Sequence, residues 1–360
     1  MEDKKIKYIE ISNYFKDKIK NGEMLPGEKL PTEYEIVEEF SVSRHTVRQA
    51  LIELEKEGYV HKEKGIGSFC SNINKNKNEK PKMVMVITTY LSDYIFPHII
   101  RGIESILSKN GYDVLLFTTN NKKEKEAEQL NKLLNYNVVG AIIEPTASAI
   151  KNVNSDYYLK LNKKGIPYVM INAVYENMDS SYVIMDDEKA GYLLCKHLIE
   201  NGHEKIAGIF KEDDLQGKNR RRGYERALRE AGFEVGRYPI GSFKTFEEEF
   251  YPYAFTKNLL ARENRPSAIV CYNDKIAVQV INAIKDLGLK IPENISVVGC
   301  DNDETIANII DGGITTIDHP KSELGRKAAE VLIEIIDKKE KQIKFIFEPE
   351  IIIKKSTKLK

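Results

Sequence analysis

The chain has 360 residues, in which 55 Lys and Arg are balanced by 55 Asp and Glu, with 41% hydrophobic and 31% charged residues. This length allows two or three domains, and the composition excludes fibrous, collagen-like and wholly disordered proteins. Zero net charge argues against a uniformly basic nucleic-acid coat protein, although it leaves room for a locally basic surface.

The sequence gives no indication of a targeting or membrane segment. No apolar h-region follows the N-terminus, and no apolar run approaches the ~20 residues that a membrane helix needs. The four cysteines lie far apart and form no CxxC pair, so we predict plain buried thiols rather than zinc ligands or a redox pair. We therefore expect a cytoplasmic protein with no metal and no cofactor.

The first 71 residues predict a small helical unit. A first helix, with apolar residues four apart, is expected to end near Gly22. Thr32 and Glu35 form a capping box that starts a second helix. After a tight turn, Ser43 caps a third helix that stops at Gly58, which gives a helix-turn-helix layout. Residues 59–61 and 68–70 then predict a hairpin, or wing, closed by residues 62–67.

The third helix carries side chains that suit a DNA groove. Arginine can bind guanine through two hydrogen bonds, and His, Ser and Thr can reach bases or phosphates. Residues 1–71 hold 12 Lys and Arg against 14 Asp and Glu, yet residues 40–52 contain no acid and two arginines, Arg44 and Arg48. The positive surface is therefore predicted to be local, on this helix.

Four strings in this region resemble the winged helix-turn-helix of GntR-family repressors: LPGEKLPTE at 25–33, SVSRHTVRQAL at 41–51, LEKEGYV at 54–60 and GIGSF at 65–69. The resemblance covers residues 5–70. It implies that the third helix enters the major groove and that the wing tip approaches the minor groove or backbone. Glu33 could accept from a cytosine amino group, or it could be a partner of the helix dipole. The predicted DNA-binding residues are Lys7, Glu33, Ser43, Arg44, His45, Thr46, Arg48, Lys64, Gly65 and Gly67.

Residues 72–82 differ in composition, with one aliphatic residue, and are expected to form a flexible linker. Beyond them, short apolar runs alternate with helical patterns, which is typical of parallel sheets flanked by helices. About 280 residues with some ten strands exceed one doubly wound sheet, so we expect two α/β lobes or a barrel. The predicted domains are a winged helix-turn-helix at 1–71, a linker at 72–82 and a sensor at 83–360.

Polar side chains follow several of the apolar runs. Open α/β sheets bind ligands at the carboxyl ends of their strands, and carboxylates, amides and aromatic faces there favour a sugar. Asp274 or Asp301, taken singly, could instead be a helix N-cap. The arginines at 220–222 keep a phosphosugar possible, because arginine suits phosphate.

The same region resembles the effector domain of LacI/GalR repressors, which shares the two-lobed periplasmic-binding-protein-like (type I) fold. The matching strings are FPHIIRGIE at 96–104, IVCYNDKIA at 269–277, PENISVVGCDN at 292–302 and ITTIDHPK at 314–321. The resemblance implies two lobes joined by three chain crossings, with Phe96 stacking on the ligand. The predicted effector-binding residues are Tyr90, Asp93, Phe96, Glu144, Asn172, Arg220, Asn273, Asp274, Asp301 and His319.

A GntR-type head followed by a LacI-type body resembles the AraR-type arabinose repressors over nearly the whole chain. The strings YLSDYIFP at 90–97, IEPT at 143–146 and FEPE at 347–350 carry this likeness. It implies a homodimer that binds operator DNA and releases it on binding L-arabinose. Another sugar or phosphosugar remains an alternative effector. A sugar-processing enzyme is a remote alternative, because no GxxxxGK[ST], GxSxG or HExxH motif is present.

Overall fold

The structure, a computed structural model, describes residues 2–63, 65–71, 82–92, 95–306, 310–338 and 342–358, with side chains from Lys7 onward. The chain divides into two compact units, Met1–Lys80 and Pro81–Lys360, which we call the head and the body. Within the described ranges, no helix is both long and apolar enough to cross a membrane. The four cysteines are buried and form no disulfide, which agrees with the prediction of buried thiols.

The head is built from α1 (Glu2–Lys20), α2 (Glu33–Phe40) and α3 (Arg44–Lys56). The predicted capping box is present at α2: the Thr32 hydroxyl accepts from the Glu35 amide at 3.3 Å, and the Glu35 carboxylate accepts from the Thr32 amide at 2.7 Å. These bonds satisfy amides that a helix start leaves without partners. The head core consists of Ile11, Phe15, Ile19, Leu30, Ile36, Val47, Ala50, Leu54, Val60 and Cys70.

The predicted wing is an antiparallel hairpin of β1 (Val60–Glu63) and β2 (Gly67–Cys70). Both strands are slightly longer than the sequence suggested. Strand β2 pairs with the chain ahead of α2 around Lys29 and Phe69, where the Leu30 amide donates to the Ser68 carbonyl at 2.8 Å and the Cys70 amide to the Glu28 carbonyl at 2.8 Å. The hairpin is therefore fixed to the helical part of the head at its base.

The first lobe of the body is a six-stranded parallel sheet covered by helices on both faces. The strands are β3 (Lys82–Thr88), β4 (Tyr112–Thr118), β5 (Gly140–Ile143), β6 (Tyr168–Ile171), β7 (Ser181–Met185) and β13 (Lys344–Phe347). The helices are α4 (Phe96–Lys109), α5 (Lys123–Asn135), α6 (Ser155–Lys164) and α11 (Lys321–Lys338). The strand order is β13-β7-β6-β5-β3-β4. Strands β5 and β6 are buried throughout, as expected for parallel strands covered on both faces.

The second lobe has a smaller parallel sheet in the order β11-β10-β8-β9 and a short antiparallel pair of β12 and β14. The strands are β8 (Ile206–Lys211), β9 (Ile240–Phe243), β10 (Ala268–Cys271), β11 (Ser296–Val298), β12 (Thr316–Asp318) and β14 (Glu350–Ile352). The helices are α7 (Asp187–Glu200), α8 (Leu215–Glu230), α9 (Tyr251–Leu260) and α10 (Asp274–Asp286). Short 3₁₀ turns span Thr245–Glu247 and Glu304–Ile306.

The chain passes between the lobes three times, which confirms the two-lobed prediction and excludes the barrel. It passes from β7 to α7, from β12 to α11, and from β13 to β14. The first lobe is thus completed by segments that follow the whole of the second lobe's sheet.

Most predicted elements of the body are present, and Gly202, Gly232 and Gly288 have the positive φ expected at helix ends. The linker prediction was one residue too long, because Lys82 is the first residue of β3 and pairs with Tyr112. The remainder of that linker, residues 72–81, lies outside the described residues. Helices α6 and α9 and strands β9, β12, β13 and β14 were not predicted.

Candidate functional site

The first candidate site is the exposed face of α3 in the head. Arg44 and Arg48 have side chains that are 71% and 58% exposed, on one side of the helix. Both guanidinium groups donate to Glu33, the first residue of α2, at 2.9 Å and 3.0 Å. Partial burial acts against ionisation of Glu33, but the two arginines hold its pKa below the usual value. The carboxylate therefore fixes two cationic side chains side by side.

The other predicted DNA-binding residues divide into exposed and enclosed positions. Thr46 is buried, and its hydroxyl lies 2.8 Å from the Ser43 hydroxyl within the cap of α3. The hydroxyl of Thr46 is thus engaged within the cap, and a contact between Thr46 and DNA stays a prediction. Gly67 is partly buried at the start of β2, and Lys64 lies outside the described residues. The exposed positions are Lys7, Ser43, His45 and Gly65.

The second candidate site is a cleft between the two lobes of the body, at the carboxyl ends of the strands. Thr89 follows β3 and Glu144 follows β5, while Lys211 ends β8 and Tyr272 follows β10. Parallel strands end at the same edge of their sheet, so Thr89 and Glu144 lie together on the first lobe, and Lys211 and Tyr272 lie together on the second. The remaining lining residues are Tyr90, Ile95, Phe96, Asn121, Pro145, Ser148, Ala173, Asp214, Gln216, Arg220, Glu248, Asn273, Lys275 and Asp301.

On the first lobe, the polar centre of the cleft is the carboxylate of Glu144. It accepts from the amide and hydroxyl of Thr89 at 2.7 Å and 2.6 Å, and from the Asn172 amide group at 2.9 Å. Burial raises the pKa of Glu144, and these hydrogen bonds oppose the rise. Asn172 lies behind Glu144 and outside the lining, with its carbonyl oxygen unpartnered. Tyr90 and Phe96 add aromatic surface, their ring centres 6.2 Å apart.

On the second lobe, the centre is Arg220, which is 2% exposed. It donates to Asp187 at 2.8 Å, to the Tyr272 carbonyl at 2.8 Å and to Asp301 at 3.3 Å. Its place is set by the close crossing of α7 and α8: a Cβ at Gly191 would overlap the Arg220 carbonyl. The guanidinium is thus held rigidly between two carboxylates.

A second charged group, which sequence reasoning missed, surrounds Lys211. Its ammonium lies 3.7 Å from Asp214 and 3.3 Å from Glu248. Glu248 also accepts from Lys275 at 2.7 Å, and Asp214 accepts from the Tyr272 hydroxyl at 2.7 Å. Burial acts against ionisation of Glu248, but the two lysines keep its pKa below the usual value. Lys211 and Asp214 follow the strand-end rule and could have been found by it.

The cleft brings together most of the predicted effector-binding residues. Those that line it are Tyr90, Phe96, Glu144, Arg220, Asn273 and Asp301, and Asp93 lies outside the described residues. Asp274 does not line the cleft; it is buried and accepts from the Asp303 amide at 2.9 Å and the Thr316 hydroxyl at 2.8 Å. The N-cap of α10 is Asn273, so Asp274 is not the cap either. His319 lies buried beside a separate groove.

Neither site contains a metal-binding cluster in the described residues: no group of three or more His, Cys, Asp or Glu side chains is placed to hold an ion. The carboxylates of the cleft are instead paired with lysine, arginine or hydrogen-bond donors. The cleft offers oriented donors, oriented acceptors and aromatic surface, which are the contacts that a polyhydroxylated ring needs.

Comparison with known proteins agrees with the division of the chain into a head and a body. Residues 7–70 match the family described as bacterial regulatory proteins, gntR family, and residues 195–357 match the periplasmic binding protein-like domain. The chain is 46% identical over 356 residues to the arabinose metabolism transcriptional repressor of Geobacillus stearothermophilus, with 98% of each chain covered.

A second relative of the same name, from Halalkalibacterium halodurans, is 42% identical over 362 residues, covering 98% of this chain and 96% of its own. Among solved structures, the transcription regulator CcpA of Lactococcus lactis superposes with a TM-score of 0.68 at 26% identity. That match covers 78% of this chain and 100% of the other.

Proposed function

The chain belongs to the family of arabinose metabolism transcriptional repressors, and from this we propose that L-arabinose is the effector that binds in the cleft of the body. The chain is a sugar-responsive transcriptional repressor and not an enzyme.

The observation that carries the proposal is the pairing of charges in the cleft. Each of its three cations, Lys211, Arg220 and Lys275, already has a carboxylate partner. A phosphate would have to compete with these carboxylates for the same cations. An uncharged sugar can instead accept from the cations and donate to the carboxylates without disturbing the balance. The cleft therefore favours a neutral sugar over a phosphosugar.

The arginine triplet does not support a phosphosugar. Of the three, Arg220 alone lines the cleft, and it is held by Asp187 and Asp301. Arg221 donates to Glu225 at 2.8 Å, and Arg222 donates to the side chain of Asn219 at 3.2 Å. A phosphate-binding arginine cluster needs convergent, uncommitted guanidinium groups. This triplet supplies one committed group.

For the head, we propose that Arg44 and Arg48 read base edges in the major groove of operator DNA. Two-fold proteins suit two-fold sites, so a homodimer on a pseudo-palindromic operator is the assembly proposed. The remaining parts of this proposal are a cytoplasmic location and the absence of any cofactor. Sugar releases the operator only to the extent that it binds the DNA-free state more tightly.

The test is titration calorimetry of the full chain with L-arabinose, D-arabinose, D-xylose, D-ribose and arabinose 5-phosphate, repeated with operator DNA present. L-Arabinose should bind most tightly, the phosphate should bind weakly, and operator DNA should lower the affinity for L-arabinose. Tight binding of the phosphosugar would overturn the effector proposal. Equal affinity for L-arabinose with and without DNA would overturn the release mechanism.

A further inference from the structure

One segment of the first lobe reaches across the cleft to the second. We call it the strap, residues 145–154, which follows β5. The Ser148 hydroxyl accepts from the Leu215 amide at 2.8 Å, and the Ala149 amide donates to the Asp213 carbonyl at 3.3 Å. The Ala149 carbonyl accepts from the Lys218 ammonium at 3.1 Å. Three hydrogen bonds thus join the strap to the start of α8.

A fourth hydrogen bond between the lobes runs through Asn121, in the loop after β4. Its side-chain amide donates to the Thr245 hydroxyl at 2.7 Å, and its carbonyl oxygen accepts from the Ala147 amide at 2.6 Å. The Thr245 amide donates in turn to the Asp213 carboxylate at 2.9 Å. Asn121 therefore links the strap and the second lobe within one network.

The strap is anchored in the first lobe by a buried carboxylate. Glu126 on α5 is fully buried and accepts from the Tyr158 and Tyr175 hydroxyls at 2.9 Å and 2.6 Å, and from the Asn154 side chain at 2.7 Å. The Thr146 amide also points to it, at 3.4 Å. A buried carboxylate is costly unless it is fully hydrogen-bonded, so this network has few alternative arrangements. Both ends of the strap are fixed by it.

The backbone of the strap is strained where it faces the second lobe. Ala147 has a φ of +41°, a left-handed conformation that residues with a Cβ rarely adopt. Such strain persists only when the surroundings hold it in place, and here the bond to Asn121 does so. The conformation places Ser148 and Ala149 so that both face the turn before α8.

We infer that the strap is a latch that stabilises the closed arrangement of the two lobes and so sets the affinity for the effector. This inference rests on the proposed function, because an effector that binds between the lobes binds best when they are closed. The apparent affinity for a ligand is proportional to the fraction of molecules in the binding-competent state, so it falls when fewer molecules have closed lobes. Each hydrogen bond between the lobes should therefore contribute a few-fold to effector affinity by favouring the closed arrangement.

Two of these bonds can be removed without replacing any residue that lines the cleft, because neither Lys218 nor Thr245 lines it. In Lys218→Met the Ala149 carbonyl loses its donor, and in Thr245→Val the Asn121 side chain loses its acceptor. The double variant should bind L-arabinose about tenfold more weakly, as expected for two neutral or singly charged hydrogen bonds. The matched control is Lys205→Met, which removes an exposed lysine bond to Asn264 within the second lobe and should leave affinity unchanged.

Hydrogen exchange of two backbone amides tests the latch without any sugar. The Leu215 amide donates to Ser148 and the Ala149 amide to Asp213, so both report contact between the lobes. Neither bond includes a group altered in the double variant. In the full chain without sugar, both amides should therefore exchange faster in the double variant than in the parent protein, because the lobes open together. L-Arabinose should slow both amides in the parent.

The outcomes separate the latch from the proposed effector. Parent-like sugar affinity and exchange in the double variant would overturn the latch and leave the effector proposal standing. A parent protein that bound no L-arabinose would overturn the effector proposal, and the sugar-free exchange rates would still decide the latch. If Lys205→Met weakened L-arabinose binding as much as the double variant does, the latch would also be overturned, because Lys205 does not join the lobes.

Discussion

Arg48 donates from one guanidinium nitrogen to both carboxylate oxygens of Glu33, at 3.1 Å and 3.0 Å. Arg44 donates to the same carboxylate from one turn earlier in α3. Glu33, which could accept a hydrogen bond from cytosine, is therefore bonded to Arg44 and Arg48, the two residues expected to bind guanine. Glu33 aligns the arginines, and it must exchange these partners if it is to contact a base.

The arginines themselves should determine operator recognition. Arg44→Ala or Arg48→Ala should cost about 1–3 kcal/mol of specific binding, at particular base pairs, because a bidentate contact to guanine is lost. Fluorescence anisotropy with a set of single-base operator variants measures this cost. L-Arabinose affinity should be unchanged, and its loss would mean that α3 has a structural rather than a reading role.

Replacing Glu33, whose carboxylate aligns Arg44 and Arg48, should reduce discrimination between operator and non-specific DNA rather than the overall affinity for DNA. In Glu33→Gln both arginines lose a charged partner and one negative charge leaves the DNA-facing surface. Binding to non-specific DNA should therefore strengthen, and the ratio of operator to non-specific affinity should fall. Competition binding at two salt concentrations separates the effects. An unchanged ratio would show that Glu33 neither positions the arginines nor reads a base.

The buried ion pairs of the second lobe should be critical for stability. Arg220→Ala leaves the Asp187 and Asp301 carboxylates without their cation inside the protein. Breaking a buried pair in this way costs about 3–5 kcal/mol, so the free energy of unfolding in urea should fall by that amount. A loss below 1 kcal/mol would indicate that water reaches the site and replaces the guanidinium.

The charge of the cleft should set its preference between neutral and anionic sugars. Glu248→Gln keeps the shape of the side chain but removes the carboxylate that Lys211 and Lys275 share. Affinity for L-arabinose should fall several-fold, whereas affinity for arabinose 5-phosphate should rise because one negative charge leaves the neighbourhood of the two lysines. Calorimetry with both ligands checks the change, and operator binding without sugar is the control that should not move.

One carboxyl group should make stability depend on pH near neutrality. Burial, with Asp301 nearby, raises the pKa of Asp274 to about 7, above its ordinary value of 3.8. Between these values the folded protein holds a proton that the unfolded chain has released. The contribution of this group to the unfolding free energy is therefore greatest at low pH and is lost as pH rises toward 7.

The variant Asp274→Asn removes that dependence. The difference in unfolding free energy between variant and parent, measured at pH 5 and at pH 8, should shift in favour of the variant at the higher pH. A constant offset between the two proteins cancels in this comparison. A difference that is the same at both pH values would show that Asp274 keeps an ordinary pKa when folded.

Much of the fold could be predicted because buried parallel strands leave continuous apolar runs, and β5, β6 and β10 all do so. Helix α6 escaped prediction because it is largely polar and buries only Tyr158 and Leu161. Strands β12 and β14 have three residues each, too few to establish a period.

The cleft divides in the same way. Glu144, Asn273 and Asp301 were predicted because each lies within three residues of the end of a strand. Asn121 and Glu248 come from loops, and their approach to the cleft depends on how the two lobes pack, which no local pattern encodes. The burial of Thr46 was not predicted for a related reason: its residue type suits a phosphate contact, whereas its place in the cap of α3 depends on the helix start.

The three passages of the chain between the lobes determine when each part of the protein can fold during its synthesis. The head core is made entirely from residues 11–70, so it can form as soon as that stretch has left the ribosome. The sheet of the first lobe needs β13, whose last residue is Phe347, beside β7, which ends at Met185. The sensor can therefore be completed only when translation is nearly finished, long after the DNA reader, and a truncated product would carry the reader without its control.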